Sequence, residues 1–268
     1  MSKYDKLFNF NKKIQNTYGL FVNIKRLPYM IKSKSILQRN DKLLSYKKSD
    51  KCYVLGLGPS LANVDPEKLH DGDIIAVNNF FAYANSHRFH PDFYVLMDNH
   101  YYSSDFQEND RIRAFESFPS TTFILNGRYY SKKLDIKDKT FWLYAWKGYS
   151  AINSNMSLTK VMPAFDNVIC NAISIAICMR YKEIVLLGCD FNSFATPKIQ
   201  HCYCTEGEKR DMSLSFEMFV YSFVAEQHRL LNISAISNDL RIINSTKDSL
   251  LDVYPRENED YYLIKEGK

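Results

Sequence analysis

The stretch that decides the fold spans residues 51–61 and reads Lys-Cys-Tyr-Val-Leu-Gly-Leu-Gly-Pro-Ser-Leu. Its first part, Cys52–Leu55, is a short apolar run that is typical of a buried parallel strand. The run stops at Gly56 and Gly58, which form a Gly-x-Gly pair. In doubly wound folds this pattern opens a phosphate-binding turn, because glycine lets backbone N–H groups approach an anion closely. The stretch therefore predicts the first strand of such a sheet and an anion-binding turn after it.

The residues after the glycine pair limit which nucleotide the turn could bind. Pro59 and Ser60 suit the first positions of a helix. Leu61 stands where the dinucleotide fingerprint has its third glycine. The pattern therefore disfavours NAD, and a plain tight turn with no ligand remains the alternative.

Similar apolar runs follow along the chain, separated by segments with helical periodicity. The predicted strands are 52–56, 73–79, 91–98, 121–126, 182–191 and 241–245, and the predicted helices are 168–180 and 214–231. Alternating strands and helices predict an α/β fold with a single doubly wound, mostly parallel, Rossmann-like sheet over residues 51–268. Residues 131–163 hold both tryptophans and little periodicity, so we expect a lid-like insertion there.

The charge is distributed unevenly. The net charge is +5, but residues 1–51 contain 13 Lys and Arg against 3 Asp and Glu, whereas the rest contains 22 against 27. We therefore divide the chain into a basic helical extension, residues 1–50, and a mildly acidic body. The extension either packs on the body or lies on an anionic membrane surface. No nucleic-acid motif is present, so we expect no nucleic-acid partner.

Polar residues end several predicted strands at the edge where open α/β sheets bind ligands. Asn78 and Asn79 end the second strand, Asp98 ends the third, and Asp190 ends a Gly-x-Asp strand. Amides both donate and accept hydrogen bonds, which suits a nucleobase or a sugar, although an amide pair could equally cap a turn. Three roles remain open for Asp190: it orients His201, contacts the substrate or caps the turn that follows it.

Two histidines, His100 and His201, follow predicted strand ends. Histidine titrates near neutral pH and could remove a proton from an acceptor hydroxyl, so we favour His201 as the base and keep His100 as the alternative. The Asp71-Gly72-Asp73 motif precedes its strand and is expected to be a structural turn at the opposite edge. We predict no metal; if one were needed, Asp98 and Asp190 would be its ligands.

These motifs, taken in order, resemble those of the bacterial sialyltransferases of glycosyltransferase family 42. They also resemble motility-accessory-factor flagellin glycosyltransferases and pterin pyrophosphokinase-like domains. The resemblance covers residues 51–255 and leaves the extension outside it. The segments that carry it are Gly56–Leu61, Asn78-Asn79, Tyr181–Phe191, His201–Tyr203 and Asn244–Asp252.

This resemblance implies a variant GT-A fold and an inverting, metal-independent transfer of a nonulosonic acid, such as sialic acid, from a CMP-sugar. It implies that His201 is the catalytic base. We add Asp190 as its supporting residue because Asp190 ends a predicted strand. The nucleotide-sugar site would comprise Gly56, Gly58, Pro59, Ser60, Asn78, Asn79, Asn192 and Tyr203. We add Asp98, which ends a predicted strand, and Asn167, which precedes a predicted helix. Asn192 stands where the first of two family tyrosines would be, and Phe194 or Tyr203 takes the place of the second.

The expected partners follow from this reading. The donor would be a nucleotide-sugar with no further cofactor, and the acceptor a glycan or lipid-linked glycan of a capsule or lipopolysaccharide. No apolar run is long enough for a membrane span or a signal peptide, so we expect a cytoplasmic protein, peripheral on the inner leaflet if the extension binds it. Self-association as a homo-oligomer is compatible with the sequence. The alternatives are a Mg²⁺-dependent pyrophosphokinase-like enzyme and a catalytically inactive glycan-assembly protein.

Overall fold

A seven-stranded parallel sheet forms the centre of the molecule. The computed structural model describes residues 2–25, 27–102, 108–136, 138–146, 152–153, 155–210 and 212–264. The strand order is β11-β8-β1-β2-β3-β4-β5, and every neighbouring pair is parallel. The strands are β1 Lys51–Leu55, β2 Asp73–Val77, β3 Phe93–Leu96, β4 Thr122–Asn126, β5 Thr140–Leu143, β8 Glu183–Leu187 and β11 Arg241–Asn244. The predicted doubly wound α/β fold is thus confirmed.

Helices and short 3-10 segments cover the two faces of this sheet. The α-helices are α1 Lys3–Ile24, α2 Leu27–Gln38, α3 Glu108–Ser117, α4 Val168–Cys178 and α5 Leu214–Ile236. On one face α4 packs across β1, β2 and β3, and α5 packs beside it. The described residues also form two minor strand pairs: β6 Ala145–Trp146 with β7 Met162–Pro163, and a hairpin of β9 Ile199–His201 with β10 Cys204–Glu208.

Strand β5 corrects the lid-like insertion predicted for residues 131–163. Four residues of that stretch form a strand of the main sheet, and its Trp142 is fully buried. The indole Nε1 donates to Asp135 Oδ1 at 3.2 Å, which satisfies the one polar atom that the ring carries into the core. The predicted lid was therefore wrong for this part of the stretch, and residues 137, 147–151 and 154 of it lie outside the described residues.

The N-terminal segment is helical, and its boundary with the body lies earlier than residue 50. A 3-10 helix, Arg39–Tyr46, follows α2, and its Leu43 is fully buried in the main core. Asn40 Nδ2 donates to the carbonyls of Trp142 and Leu158, both at 2.9 Å. The last part of the segment is thus built into the body, whereas α1 lies on its surface. Among the described helices, none combines the length and the apolar character that crossing a bilayer requires.

Candidate functional site

The chain changes direction in the sheet between β1 and β8, and a cleft lies at the carboxyl ends of the strands there. From β1 the chain runs outward through β2, β3, β4 and β5, and it then returns to the other side of β1 as β8. Open α/β sheets bind ligands at such a switch point. The cleft has a smaller lobe of about 310 Å³ and a larger lobe of about 700 Å³. Asp98, Asp166, Asn167 and Val168 line both lobes, so the two are continuous.

The glycine turn after β1 is packed directly against the turn after β8. The N–H of Gly56 donates to Leu187 O at 2.7 Å, and the N–H of Gly58 donates to Gly188 O at 2.9 Å. A Cβ on Gly56 would overlap the carbonyl of Gly188 and lie 2.9 Å from Cys189 Sγ. Both glycines line the smaller lobe, but their N–H groups are already used. The prediction that these two N–H groups bind a phosphate is therefore wrong. The two glycines instead allow the turns after β1 and β8 to pack closely.

Asp190 is bonded to this turn rather than to the candidate base. Ser60 Oγ donates to Asp190 Oδ2 at 2.7 Å, and the Ser60 N–H donates to Asp190 Oδ1 at 3.3 Å. The side chain is buried, and this burial raises the pKa of the Asp190 carboxyl, while the two bonds from Ser60 act in the opposite direction. Asp190 thus joins the two turns. The expectation that it orients His201 finds no bond among the described residues.

Asn78 lies at the end of β2 in a conformation that few residues adopt. Its φ is +43°, in the left-handed region where asparagine is tolerated better than most residues. Its carbonyl accepts from Tyr94 OH at 2.6 Å, which holds the backbone in place. Its side-chain Oδ1 is buried and has no hydrogen-bond partner among the described residues, and Asn78 lines the smaller lobe. An unpaired amide beside a cavity is a candidate ligand group.

Asn79 and Tyr203 are not among the residues that line either lobe, which corrects their predicted contact with a ligand. Asn79 Oδ1 accepts from Tyr101 OH at 2.7 Å, and the Asn79 side chain also bonds the Tyr203 hydroxyl. Burial raises the pKa of Tyr203 to about 12, so its hydroxyl stays protonated. The Tyr203 ring stacks on the imidazole of His201 at 4.8 Å between centroids and 9° between planes. These residues form a polar chain that orients His201.

His201 is placed at the smaller lobe by the β9–β10 hairpin. The hairpin is tied to the glycine turn because the N–H of Cys202 donates to Leu57 O at 2.9 Å. Nε2 of His201 lies 4.0 Å from Glu208 Oε2, so a protonated imidazole would have a carboxylate beside it. The partner of the candidate base is therefore Glu208, a residue of the same hairpin that sequence reasoning missed.

The amino terminus of α4 enters the cleft. Asn167 is the N-cap residue, and its side-chain Oδ1 accepts from the N–H of Ile169 at 2.7 Å. Val168 and Ile169 line the smaller lobe, so the partial positive charge of this 11-residue helix is directed at the cavity. The predicted ligand residue Asn167 lines both lobes, and its side chain caps the helix that could bind a phosphate.

A wall of aromatic and histidine side chains closes the smaller lobe on the side of β8. Phe191, with a φ of +55°, packs against Tyr221 and His228 of α5. His228 is fully buried, and Nδ1 lies 2.9 Å from Tyr254 OH. Burial lowers the pKa of His228 to about 3, so the ring is neutral at physiological pH and is part of the wall. No sequence signal distinguished these residues from ordinary core.

The larger lobe carries two basic side chains, Arg128 and Lys25. Arg128 lies on the loop after β4, Tyr144 follows β5, and Phe165 precedes α4. Lys25, at the end of α1, lines this lobe together with Val22, so the N-terminal segment contributes to the cleft. The lobe thus combines aromatic surface with two cations, and sequence reasoning identified neither cation.

The structure gathers eight of the predicted site residues around the smaller lobe. They are Gly56, Gly58, Asn78, Asp98, Asn167, Asp190, Asn192 and His201. Pro59, Ser60, Asn79 and Tyr203 lie behind this surface and do not line it. Asp71 and Asp73 are at the opposite edge, where they accept hydrogen bonds from Tyr53 and Tyr181, as the structural-turn interpretation predicts. Within the described residues, no three His, Cys, Asp or Glu side chains are grouped as a metal site.

Comparisons with known proteins give one family. The family model described as "6-hydroxymethylpterin diphosphokinase MptE-like" matches residues 24–194, which is more than half of the chain. The match includes the glycine turn, Asn78, Asp98, Asn167 and Asp190. It ends before the hairpin that carries His201. No curated protein matched the chain in sequence.

Solved structures of similar fold come from Campylobacter jejuni. The monofunctional alpha-2,3-sialyltransferase Cst-I is 14% identical, with 78% of this chain and 80% of that chain covered and a TM-score of 0.48. The sialyltransferase CstII in complex with CMP-3FNeuAc is 12% identical, with coverage of 81% and 89% and a TM-score of 0.46. CstII with a trisaccharide acceptor and CMP is 13% identical, with coverage of 76% and 84% and a TM-score of 0.46. At this level of similarity, no substrate is transferred to the present chain.

Proposed function

This chain belongs to the MptE-like family, and we propose that it is a glycosyltransferase that binds a nucleotide-sugar in the smaller lobe and its acceptor in the larger lobe. The observation that carries the proposal is the meeting of three groups on one cavity at the switch point of the sheet. They are the side-chain amide of Asn78, whose oxygen has no partner among the described residues, the amino terminus of α4 and the imidazole of His201. A transfer from a phosphate leaving group needs a binding amide, an anion site and a base.

The donor class proposed is a CMP-linked nonulosonic acid. Its support is the resemblance of the motifs in this sequence to glycosyltransferase family 42. Asn78 and Asn192 both line the smaller lobe, and their amides can donate to and accept from a cytosine and a ribose. The helix dipole at Val168 would stabilise the phosphate that leaves with the nucleoside.

The proposed reaction is an inverting displacement. His201 removes the proton from an acceptor hydroxyl, whose oxygen forms the new bond to the anomeric carbon. The bond between that carbon and the phosphate oxygen breaks, and the nucleoside monophosphate leaves with the electron pair. Glu208 stabilises the imidazolium that results, and the stack with Tyr203 keeps the imidazole in one orientation. General base catalysis of this kind contributes roughly 100- to 10,000-fold to rates.

The test is turnover of CMP-sugars by the purified protein, with hydrolysis of the donor measured in the absence of acceptor. His201→Ala should lower turnover by about a hundredfold or more while the donor affinity stays nearly unchanged. The matched control is His100→Ala, since His100 does not line either lobe. If no CMP-sugar is bound or turned over by the wild-type protein, the donor assignment is wrong. If His201→Ala keeps full turnover, His201 is not the base.

A second candidate, a Mg²⁺-dependent diphosphokinase, is favoured by the description of the family itself. The carboxylates of Asp98 and Asp166 belong to the surface that both lobes share, and carboxylate oxygens are ligands that Mg²⁺ accepts. Asp190, the second ligand that the sequence suggests, accepts a hydrogen bond from Ser60 instead. When bound, the ion would neutralise the charge on the phosphates of ATP.

This candidate predicts that ATP and 6-hydroxymethylpterin yield AMP only when Mg²⁺ is present. Asp98→Asn should then lower turnover by about a hundredfold, whereas under the glycosyltransferase proposal a chelator leaves CMP-sugar turnover intact. The product, AMP or CMP, distinguishes the two reactions directly. Full ATP-dependent activity in excess chelator would exclude the diphosphokinase.

A further inference from the structure

Helix α1 packs on the body through its more polar face and exposes its apolar face. An ordinary surface helix does the reverse. The residues that contact the body are buried or half-buried and mostly polar or small: Phe8, Lys12, Gln15, Asn16, Gly19, Val22 and Asn23. Lys12, for example, forms an ion pair with Glu226 of α5. The helix is therefore attached to the body through a largely polar stripe, and most of its large apolar residues do not take part in that contact.

Most of the large apolar residues of α1 are on the outward side. Leu7, Phe10, Ile14, Tyr18 and Phe21 recur every three or four residues and are between 48 and 64% exposed. At 3.6 residues per turn they form one continuous stripe, which we call the outer stripe, along a helix about 33 Å long. A series of large exposed apolar side chains on one face indicates an interaction surface rather than ordinary solvent-exposed surface.

The charges beside the outer stripe identify the partner. Lys3, Lys6, Lys13 and Lys25 are all exposed. The only acidic residue of α1 is Asp5, whose carboxylate accepts from the N–H of Ser2 in the helix cap. An apolar stripe with lysines at its border and its ends fits an anionic bilayer, where the ring and aliphatic groups enter the interface and the ammonium groups meet lipid phosphates. A second copy of α1 would bring the same lysines together.

We propose that α1 lies flat on an anionic lipid bilayer with its outer stripe inserted at the headgroup boundary. The end of this helix, Val22 and Lys25, forms part of the larger lobe. Docking would therefore hold the larger lobe at the level of the lipid headgroups. The inference does not depend on the reaction proposed above, because it rests on the exposed faces of one helix.

The first test is flotation of the full-length protein with phosphatidylcholine vesicles, with and without phosphatidylglycerol. Binding should require the anionic lipid and weaken at high salt. Lys3→Gln with Lys6→Gln and Lys13→Gln should lower the partition coefficient about a hundredfold, at roughly fivefold per lysine. Equal binding to neutral vesicles, or no binding to anionic ones, would overturn the proposal.

The second test separates the outer stripe from general surface hydrophobicity. Leu7→Ser with Phe10→Ser and Phe21→Ser should abolish flotation while thermal unfolding stays unchanged. The matched control replaces three α5 side chains of similar exposure, Leu214, Phe216 and Met218, which are 52, 52 and 53% exposed, by serine, and it should float like the wild type.

A Phe10→Trp variant gives a readout of insertion itself. Its fluorescence should be quenched by brominated lipids in anionic vesicles. An α1 serine variant that floats as well as the wild type would contradict the proposal. So would a wild-type dimer that the serine variant converts to a monomer, because the stripe would then be covered by a second copy.

Discussion

Both sides of the cleft consist of strand ends with polar residues. On one side these polar groups are hydrogen-bonded within the protein, and on the other side some of them are not. On the side of β1 and β8, the two turns bond to each other, and Asp190 is paired with Ser60. On the side of β2 and β3, Asn78 leaves its amide oxygen unpaired, and the side chain of Asp98 is half-exposed. The first side is closed by its own hydrogen bonds, and the second retains groups that a ligand can satisfy.

A sequence motif can therefore lie at the ligand-binding edge of a sheet without binding the ligand. Glycine was required at residue 56 because another backbone passes too close for a Cβ. Asparagine at residue 78 has its side chain next to the cavity and its backbone in a left-handed conformation. We therefore expect substitutions on the closed side to reduce stability and those on the open side to reduce binding.

The largest effect is expected for Gly56→Ala. Its Cβ would meet the backbone of Gly188, which cannot move aside as a flexible side chain could, so we expect a loss of about 3 kcal/mol or more in the free energy of unfolding. Urea denaturation measures this loss.

The matched control is Gly58→Ala, whose Cβ would meet mainly the side chain of Asp190. Adding Asp190→Ala should therefore recover part of the stability lost in Gly58→Ala and none of the stability lost in Gly56→Ala. A stable Gly56→Ala protein would contradict the close packing of the two turns.

The next largest effect is the loss of stability at acid pH that the buried His228, packed beside Phe191, should cause. His228 has a pKa of about 3 when folded and about 6.5 when unfolded, so below pH 6.5 the unfolded chain binds the proton and the folded protein does not. Stability should fall as the pH falls through 6.5 and continue to fall towards 3, by about 2 kcal/mol at pH 5. In His228→Gln this component of the pH dependence should be absent. Parallel pH profiles for the two proteins would show that His228 is not buried as a neutral ring.

Ser60→Ala should have a smaller effect, of about 1–2 kcal/mol near neutral pH, because it removes a hydrogen bond from a buried carboxylate. The bond favours the charged form of Asp190, whose pKa is already raised by burial. The folded protein therefore binds this proton more tightly than the unfolded chain, and stability falls as the pH rises through the folded pKa. The cost of Ser60→Ala should accordingly shrink at acid pH, where Asp190 is protonated. Asp190→Asn should make that cost independent of pH.

On the open side, substitutions at Asn78 should separate binding from folding. Asn78→Gly keeps a residue that adopts a φ of +43° readily, so stability should change by less than about 0.5 kcal/mol. Asn78→Ala should lose about 1 kcal/mol from backbone strain. Both remove the amide and should weaken nucleotide binding to a similar extent, about tenfold, in calorimetric titrations. Equal binding by the glycine variant and the wild type would show that this amide does not contact the ligand.

Much of the sheet was predictable because its strands are continuous apolar runs. Strand β5 was not, because its four residues lie within an aromatic stretch without periodicity. Helix α3 was not, because its sequence, Glu-Asn-Asp-Arg-Ile-Arg-Ala-Phe-Glu-Ser, is mostly polar. Local pattern gives no information about the partner that buries such a segment.

The candidate site was predictable to the extent that strand ends are visible in a sequence. The hydrogen-bonded residue pairs that determine the chemistry of the site were not predictable. Ser60 and Asp190 are 130 residues apart, and the role of Tyr203 depends on Asn79 and Tyr101, more than 100 residues earlier. Which face of α1 contacts the body also depends on tertiary contacts, because its periodicity identifies an apolar stripe without saying whether that stripe is buried.

The most direct test of the central claim, that the cleft binds the nucleotide of an activated donor, is calorimetric titration of the wild-type protein and Asn78→Gly with CMP, and with ATP in the presence of Mg²⁺. Our account predicts that CMP binds the wild type and that Asn78→Gly weakens this binding about tenfold at unchanged stability. If the protein binds ATP with Mg²⁺ but does not bind CMP, the result would favour the diphosphokinase reaction. Absence of binding by any nucleotide would contradict the account and leave a catalytically inactive assembly protein.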